Sequence, residues 1–218
     1  IVPNSRVHRK GKKLYIGFDY IHSRLREEAQ KLNKLKFLEH QIEAAYVTML
    51  KYASFDIYQY AVNKEEMIKE FHKILKTGTS DARKTWFKVG DYKQLENIVG
   101  DSETSKPENV ARDMQKLLEE YHSKANITID DIIQFHSDFE RIHPFQDGNG
   151  RVGRIILFKE CLKNNIVPFI ILDKDKMFYY RGLKDYGNGE EKGYLIDTCL
   201  NAQDQYQAMI DKFVGKLS

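Results

Sequence analysis

Little in this sequence breaks a helix, and little in it can be oxidised: its 218 residues include only four prolines and two cysteines. So few prolines leave room for long helices, because each one removes a backbone donor and crowds the preceding turn. Cys161 and Cys199 have no metal-ligand spacing. They read as reduced packing residues, which points to a cytoplasmic protein. Long hydrophobic runs are also missing. The longest apolar stretches, such as Val167-Pro-Phe-Ile-Ile-Ile-Leu172, are far too short to span a bilayer, so no membrane partner is expected. No secretory signal is visible, although a start at Ile1 rather than Met leaves a trimmed leader open. A strong excess of one charge is absent as well. A net charge of +3 argues against nucleic acid as the main partner. The basic cluster Arg6-Val-His-Arg-Lys-Gly-Lys-Lys13 reads as a solvated or frayed terminus.

Hydrophobic residues make up 41% and charged ones 31%, the balance of a soluble globular chain. The length suits one domain with a small appendage. From about residue 25 to 60, Leu32, Leu35, Leu38, Ile42, Ala45 and Met49 fall on one helical stripe. The spacing predicts a second helix over 64–76, with Met67, Ile68, Phe71, Ile74 and Leu75 facing inward and Gly78 in a left-handed position after its end. Residues 81–107 break the pattern. Trp86, Phe87, Val89, Tyr92, Ile98 and Val99, punctuated by Gly90, Gly100 and Pro107, suggest an irregular loop with a short hairpin, Trp86 serving as a core or loop anchor. Helices are expected again over 108–123, 130–142 (capped by Thr128, with Asp131 at its positive end), 150–163, 173–186 and 191–214, with an extended run at 166–172. The expected architecture is all-α, a helical bundle with one small β excursion.

The chemistry concentrates in His143-Pro-Phe-Gln-Asp147-Gly-Asn-Gly-Arg151-Val-Gly-Arg154. Pro144 disfavours helical geometry at His143, so a helix should end there and leave the imidazole at a loop mouth. Gly148-Asn149-Gly150 can turn successive N–H groups toward one point, where the next helix also brings its positive end. Arg151 and Arg154, three residues apart, add two guanidinium forks. Phosphates are the natural ligand. Asp147 beside them calls for a cation, and Mg²⁺ held by one carboxylate plus phosphate oxygens answers that need. His143 is the nearby group that titrates close to neutrality and can take a proton from an attacking hydroxyl. A competing metal reading joins His136, His143 and Asp147 into a hydrolase site, but Pro144 redirects the chain between the last two, so His136 reads as a packing histidine. His72 and His122, in charged helical settings, read as exposed.

The string resembles the signature of the Fic family at every defined position, and the resemblance extends over about residues 64 to 214. It implies a Fic-type helical bundle with a β-hairpin flap near the active site. Residues 64–218 would be the catalytic domain and 1–63 an N-terminal helical segment suited to regulation. It further implies a Mg²⁺-dependent protein adenylyltransferase that moves AMP from ATP to a Tyr, Thr or Ser hydroxyl of a target protein, releasing pyrophosphate. His143 would be the general base and Asp147 the Mg²⁺ ligand. Gly148, Asn149 and Gly150 would cradle phosphates, with Arg151 at the β- and Arg154 at the γ-phosphate. Gly90-Asp-Tyr92 and Asn97-Ile98-Val99-Gly100 resemble the stretch leading into the target-docking hairpin, which would align a target strand by edge pairing. Phe178-Tyr-Tyr180, Leu183 and Asn188 resemble the adenine pocket, giving Tyr180 and Asn188 as nucleotide contacts. A phosphorylating relative carries Lys where this chain has Gly150, and Gly there favours AMP transfer.

Many members are restrained by a helix whose Glu pairs with the second motif arginine. Ser23 with Glu27, and Glu43, are the nearest matches, and each reads more readily as a helix surface charge. A separate inhibitor protein or an unrestrained enzyme therefore stays open, and so does a homodimer as a partner. Removal of AMP, transfer of another nucleotidyl group or phosphocholine, and a non-catalytic nucleotide-binding partner module are the alternatives.

Overall fold

The computed structural model describes residues 7–10, 13–16, 64–100, 102–187, 189 and 193–214. Helix α1 (Lys64–Lys76) opens with Glu65 and Glu66 and closes with Lys73 and Lys76, charges that suit the helix dipole at both ends. It buries Met67, Ile68, Phe71 and Leu75. Gly78 takes a positive φ of 77° two residues after the helix, as its position implied. Helix α2 (Pro107–His122) starts with proline at its first position, where the missing N–H costs nothing, and buries Val110, Met114, Leu117 and Tyr121 along one stripe. Helix α3 (Ile129–Ile142) carries a full capping box. Thr128 accepts from the Asp131 N–H, and the Asp131 carboxylate accepts from the Thr128 N–H.

Helix α4 (Asn149–Lys163) is buried nearly all round, from Val152 and Gly153 through Ile155, Ile156, Leu157 and Phe158 to Cys161. A helix apolar on every side belongs in the centre of a bundle, and α4 packs against both α3 and α1. Two of its buried charges pair with each other. Lys159 binds Glu160, which also accepts from the Tyr121 hydroxyl at 2.9 Å. Helix α5 (Lys176–Gly187) follows a short 3-10 turn over Asp173–Asp175 and packs along α6 (Gly193–Val214). The helices meet at Gly182, where an added Cβ would lie 2.7 Å from the Leu195 backbone. Gly182→Ala is therefore expected to destabilise the fold by about 1–3 kcal/mol. Chemical denaturation checks this, and an unchanged midpoint would refute the close approach.

The described residues thus form an all-α bundle, with the flap as a minor β feature. Strands β3 (Ile98–Val99) and β4 (Ser102–Glu103) pair antiparallel, Ile98 opposite Glu103. Residues 166–172 run between helices outside any helix or strand, with Leu172 extended at φ −77° and ψ 157°, held where Gln203 Nε2 donates to Val167 O at 2.6 Å. Two expectations are corrected. The basic cluster near the start, expected to fray within a helical segment, instead forms a hairpin. Its strands β1 (Val7–Lys10) and β2 (Lys13–Ile16) pair Val7 with Ile16 and Lys10 with Lys13. Trp86 is 41% exposed with the Lys84 ammonium 5.0 Å from its ring centroid, and the buried anchor is its neighbour Phe87. The helix expected over residues 25–60 lies outside the described residues. No described helix is long and apolar enough to cross a membrane.

Candidate active site

Helix α3 stops at Ile142, and His143 takes a left-handed conformation, φ 53° and ψ 61°. For a non-glycine residue that costs on the order of 1 kcal/mol, so its surroundings must hold it. The His143 N–H still donates to Phe139 O at 3.0 Å, while Ser105 N–H donates to Ile142 O and Lys93 N–H to Pro144 O. The imidazole is half-buried, and its Nδ1 lies 3.2 Å from Glu140 O. A carbonyl only accepts, so Nδ1 carries the proton and Nε2 keeps a lone pair. Burial lowers the His143 pKa below its ordinary value, partly offset by that hydrogen bond.

Asn149 shapes the loop that follows. Its buried carboxamide accepts from Phe145 N–H at 2.8 Å and donates to Phe145 O at 2.7 Å, so the side chain closes the turn on itself. What Asn149 presents outward is backbone. Gly148 precedes α4 with φ 92° and no side-chain cap, which leaves the first-turn N–H groups of the helix without side-chain acceptors. Phe145 is fully buried and stacks on His72, ring centroids 4.0 Å apart and planes within 4°.

His72 corrects the expectation of an exposed histidine: it is buried, whereas His122 is exposed as expected. Its Nδ1 accepts from Gly90 N–H at 2.9 Å, so its Nε2 donates to Asp147 O at 3.1 Å. Burial pushes its pKa down to about 4. A neutral ring in a fixed tautomer thus carries the backbone of Asp147. The Asp147 carboxylate accepts from Lys76 Nζ at 2.5 Å and from Arg151 at 3.2 Å, both on Oδ2. Lys76 is itself buried and also binds Asp81 at 2.8 Å. Burial opposes ionisation of Asp147, but the Lys76 hydrogen bond and charge, then Arg151, hold its carboxyl below the usual range.

Arg154 lies along the first turn of α4, with one guanidinium nitrogen 3.1 Å from where a Gly150 Cβ would stand. Below it lies a buried polar layer. Arg154 is stabilised as a cation by Tyr179 and Glu140 against the cost of burial, and His136 binds the Tyr179 hydroxyl. This layer needs Gly153, whose Cβ would meet Glu140 Oε1 at 2.7 Å and His136 Cε1 at 3.0 Å. His136 is therefore a packing histidine, as read from the sequence. Among the described residues, no group of three or more His, Cys, Asp or Glu could hold a metal.

The flap adjoins this loop. Asn97 donates to Phe145 O at 3.1 Å. Ile98 and Val99 are 71% and 46% exposed, and Gly100 turns with φ 60°. Tyr180 is exposed and contributes to the electrostatics of Arg154. Asn188, Ser23, Glu27 and Glu43 lie outside the described residues.

Reading the sequence missed His72, Lys76, Lys93, Glu140 and Tyr179. A signal existed for the first two: Ile68, His72, Leu75 and Lys76 follow the i, i+4, i+7, i+8 spacing of one buried face.

Residues 62–160 match the model of the Fic/DOC family. The chain therefore contains a Fic/DOC-family domain. More particularly, its relatives are named protein adenylyltransferases. A probable protein adenylyltransferase of Aquifex aeolicus is 42% identical over 57 residues, covering 26% of this chain and 17% of that protein. Protein adenylyltransferase fic-1 of Caenorhabditis elegans is 23% identical over 132 residues, 59% of this chain and 25% of the relative. The chain thus spans about a quarter or less of the length of these curated relatives. The same fold occurs in the solved structure of Fic-1 (aa134–508) from C. elegans, with TM-score 0.64 and 17% identity over 84% of this chain and 54% of that one. It also occurs in a Fic-domain-containing signalling protein from Bacteroides thetaiotaomicron, with TM-score 0.58 and 21% identity over 80% of this chain and 66% of that one.

Proposed function

We propose that this domain is a protein adenylyltransferase that moves AMP from ATP onto a Tyr, Thr or Ser hydroxyl of a target protein. One observation carries the reading. His143 presents an unprotonated Nε2, fixed by the Nδ1 bond to Glu140 O, at the mouth of a loop that ends in a helix N-terminus and two arginines. Nε2 takes the proton of the target hydroxyl, and the hydroxyl oxygen attacks the α-phosphorus. The bond from that phosphorus to the bridging oxygen of the β-phosphate breaks, and pyrophosphate leaves. Backbone N–H groups of the first turn of α4 and the Arg151 side chain bind phosphate oxygens, with Arg154 turned toward the γ-phosphate. Tyr180 and Asn188 are assigned to the adenine side, and Ile98, Val99 and Gly100 of the flap to the target strand.

Asp147 fits Mg²⁺ as a single carboxylate ligand. Its Oδ2 is occupied by Lys76 and Arg151, its side chain is half exposed, and no group of three or more His, Cys, Asp or Glu surrounds it among the described residues. The remaining ligands are then phosphate oxygens and water. When bound, the ion would neutralise charge on the phosphates. Asp147→Asn is expected to raise the Mg²⁺ concentration needed for half-maximal rate, which a metal titration of the reaction measures. The reading includes a cytoplasmic setting, supported by two buried free cysteines.

ATP labelled at the α-phosphorus, incubated with the protein and a lysate, tests the proposal. Label should pass to protein, and label placed at the γ-phosphorus should not. Transfer of the γ label instead would make the domain a kinase and defeat the reading.

A further inference from the structure

Lys93 stands just before the flap and is only 4% exposed, yet no carboxylate hydrogen-bonds its ammonium in the described structure. The ammonium donates to Asn97 Oδ1 at 2.6 Å, to Thr104 Oγ1 at 2.7 Å and to Ile142 O at 3.4 Å. Three donors meet three neutral acceptors, which satisfies the group. Burial nevertheless works against the charge and lowers its pKa to about 8, with Glu96 opposing. A buried ammonium without an ion pair is costly, so the arrangement asks for a reason.

The acceptors supply it. Asn97 lies at the entry to β3 and Thr104 at the exit from β4, so the ammonium joins both arms of the flap. Ile142 precedes His143, and the residue after His143 is held too, because the Lys93 backbone N–H donates to Pro144 O at 2.9 Å. One lysine therefore brackets the left-handed histidine and gathers the flap beside it. Thr104 closes the ring, its hydroxyl lying 2.7 Å from Asn97 Oδ1 and 2.8 Å from Asn97 O. Outside this ring, the flap base and the motif loop share Asn97 to Phe145 O and a paired contact of Leu95 with Gln146, at 3.2 and 3.3 Å.

We propose that Lys93 is a positioning residue whose ammonium fixes the flap and the backbone of His143 in one register, so that a hydroxyl docked on the flap arrives at Nε2. This rests on the adenylyltransferase reading above. Lys93 acts through other residues, so its loss should spare nucleotide binding and injure transfer to protein.

Lys93→Met keeps most of the bulk and removes the donors, and Lys93→Arg keeps a charged donor. With unfolded casein as a generic acceptor, the Met variant should lose about a hundredfold in kcat and raise the KM for casein, the scale of a misplaced reacting group. ATP affinity measured by calorimetry should stay as in the wild type, and the Arg variant should recover part of the rate. Amide hydrogen exchange over residues 97–104 and 142–146 should quicken in the Met variant, with α2 and α6 unchanged. Lys93→Gln serves if the Met variant does not fold. Unchanged kcat and KM, unchanged exchange, or a rate loss matched by lost ATP affinity would each overturn the proposal. If the wild type itself transfers nothing to any acceptor, the functional reading fails. The exchange comparison then decides alone whether Lys93 couples flap and loop.

Discussion

Replacing His143 by alanine is expected to slow AMP transfer by about 10²–10⁴-fold, the range that general-base catalysis supplies, with ATP affinity unchanged. Among the described residues the imidazole makes no hydrogen bond to the loop that follows it; its bond, from Nδ1, runs back to Glu140 O within the last turn of α3. Truncation therefore removes a base without removing a clamp. Rate and binding should separate, and melting temperature should barely move. The same group sets the acid limb of the pH profile. A general base works when neutral, and burial lowers the pKa of His143 below its ordinary 6.5. Transfer should therefore hold up as pH falls to 6.5 and decline only below it. A profile of kcat/KM against pH measures this. An acid limb above 6.5, or a His143→Ala variant that transfers AMP at the wild-type rate, would remove His143 from the role.

The second large effect concerns stability. His72 is fully buried, and its folded pKa is near 4 against 6.5 when exposed. Above pH 6.5 it is neutral folded and unfolded, so it adds no pH dependence. As pH falls from 6.5 to 4, the unfolded chain takes up a proton that the folded ring refuses, and stability is lost throughout that window. With about 1.4 kcal/mol per pKa unit, the loss approaches roughly 3 kcal/mol at pH 4. His72→Leu isolates the contribution. The variant is less stable at pH 7, because Gly90 N–H and Asp147 O lose their partner. The gap between wild type and variant should then shrink as pH falls from 6.5 to 4. Denaturant unfolding at several pH values gives both curves, and a gap independent of pH would show that His72 takes up its proton in the folded state. The added proton goes to Nδ1, so protonation costs the ring its bond from Gly90 N–H and leaves the Nε2 donation to Asp147 O in place.

Most of the helices were legible because their signals are local. Thr128 with Asp131, and the inward stripe Met67, Ile68, Phe71 and Leu75, depend only on neighbours within a few turns. The extended run at 166–172 was legible from its apolar β-branched residues, and it packs against the core without joining a strand. The N-terminal hairpin was hidden by its charge, since lysines and arginines read as solvated whether or not the backbone pairs.

By itself, the string from His143 to Arg154 determined that a base, a carboxylate and two guanidinium groups share one loop and one helix start, because residues so close in sequence cannot be far apart in space. Tertiary structure decided the rest. It placed buried His72 and Lys76, from a helix some seventy residues earlier, under Asp147. It turned the Asn149 side chain inward onto Phe145 and set Lys93 between flap and histidine. These are long-range contacts of polar groups within the core, and no periodicity along the chain encodes which distant donor will meet which acceptor.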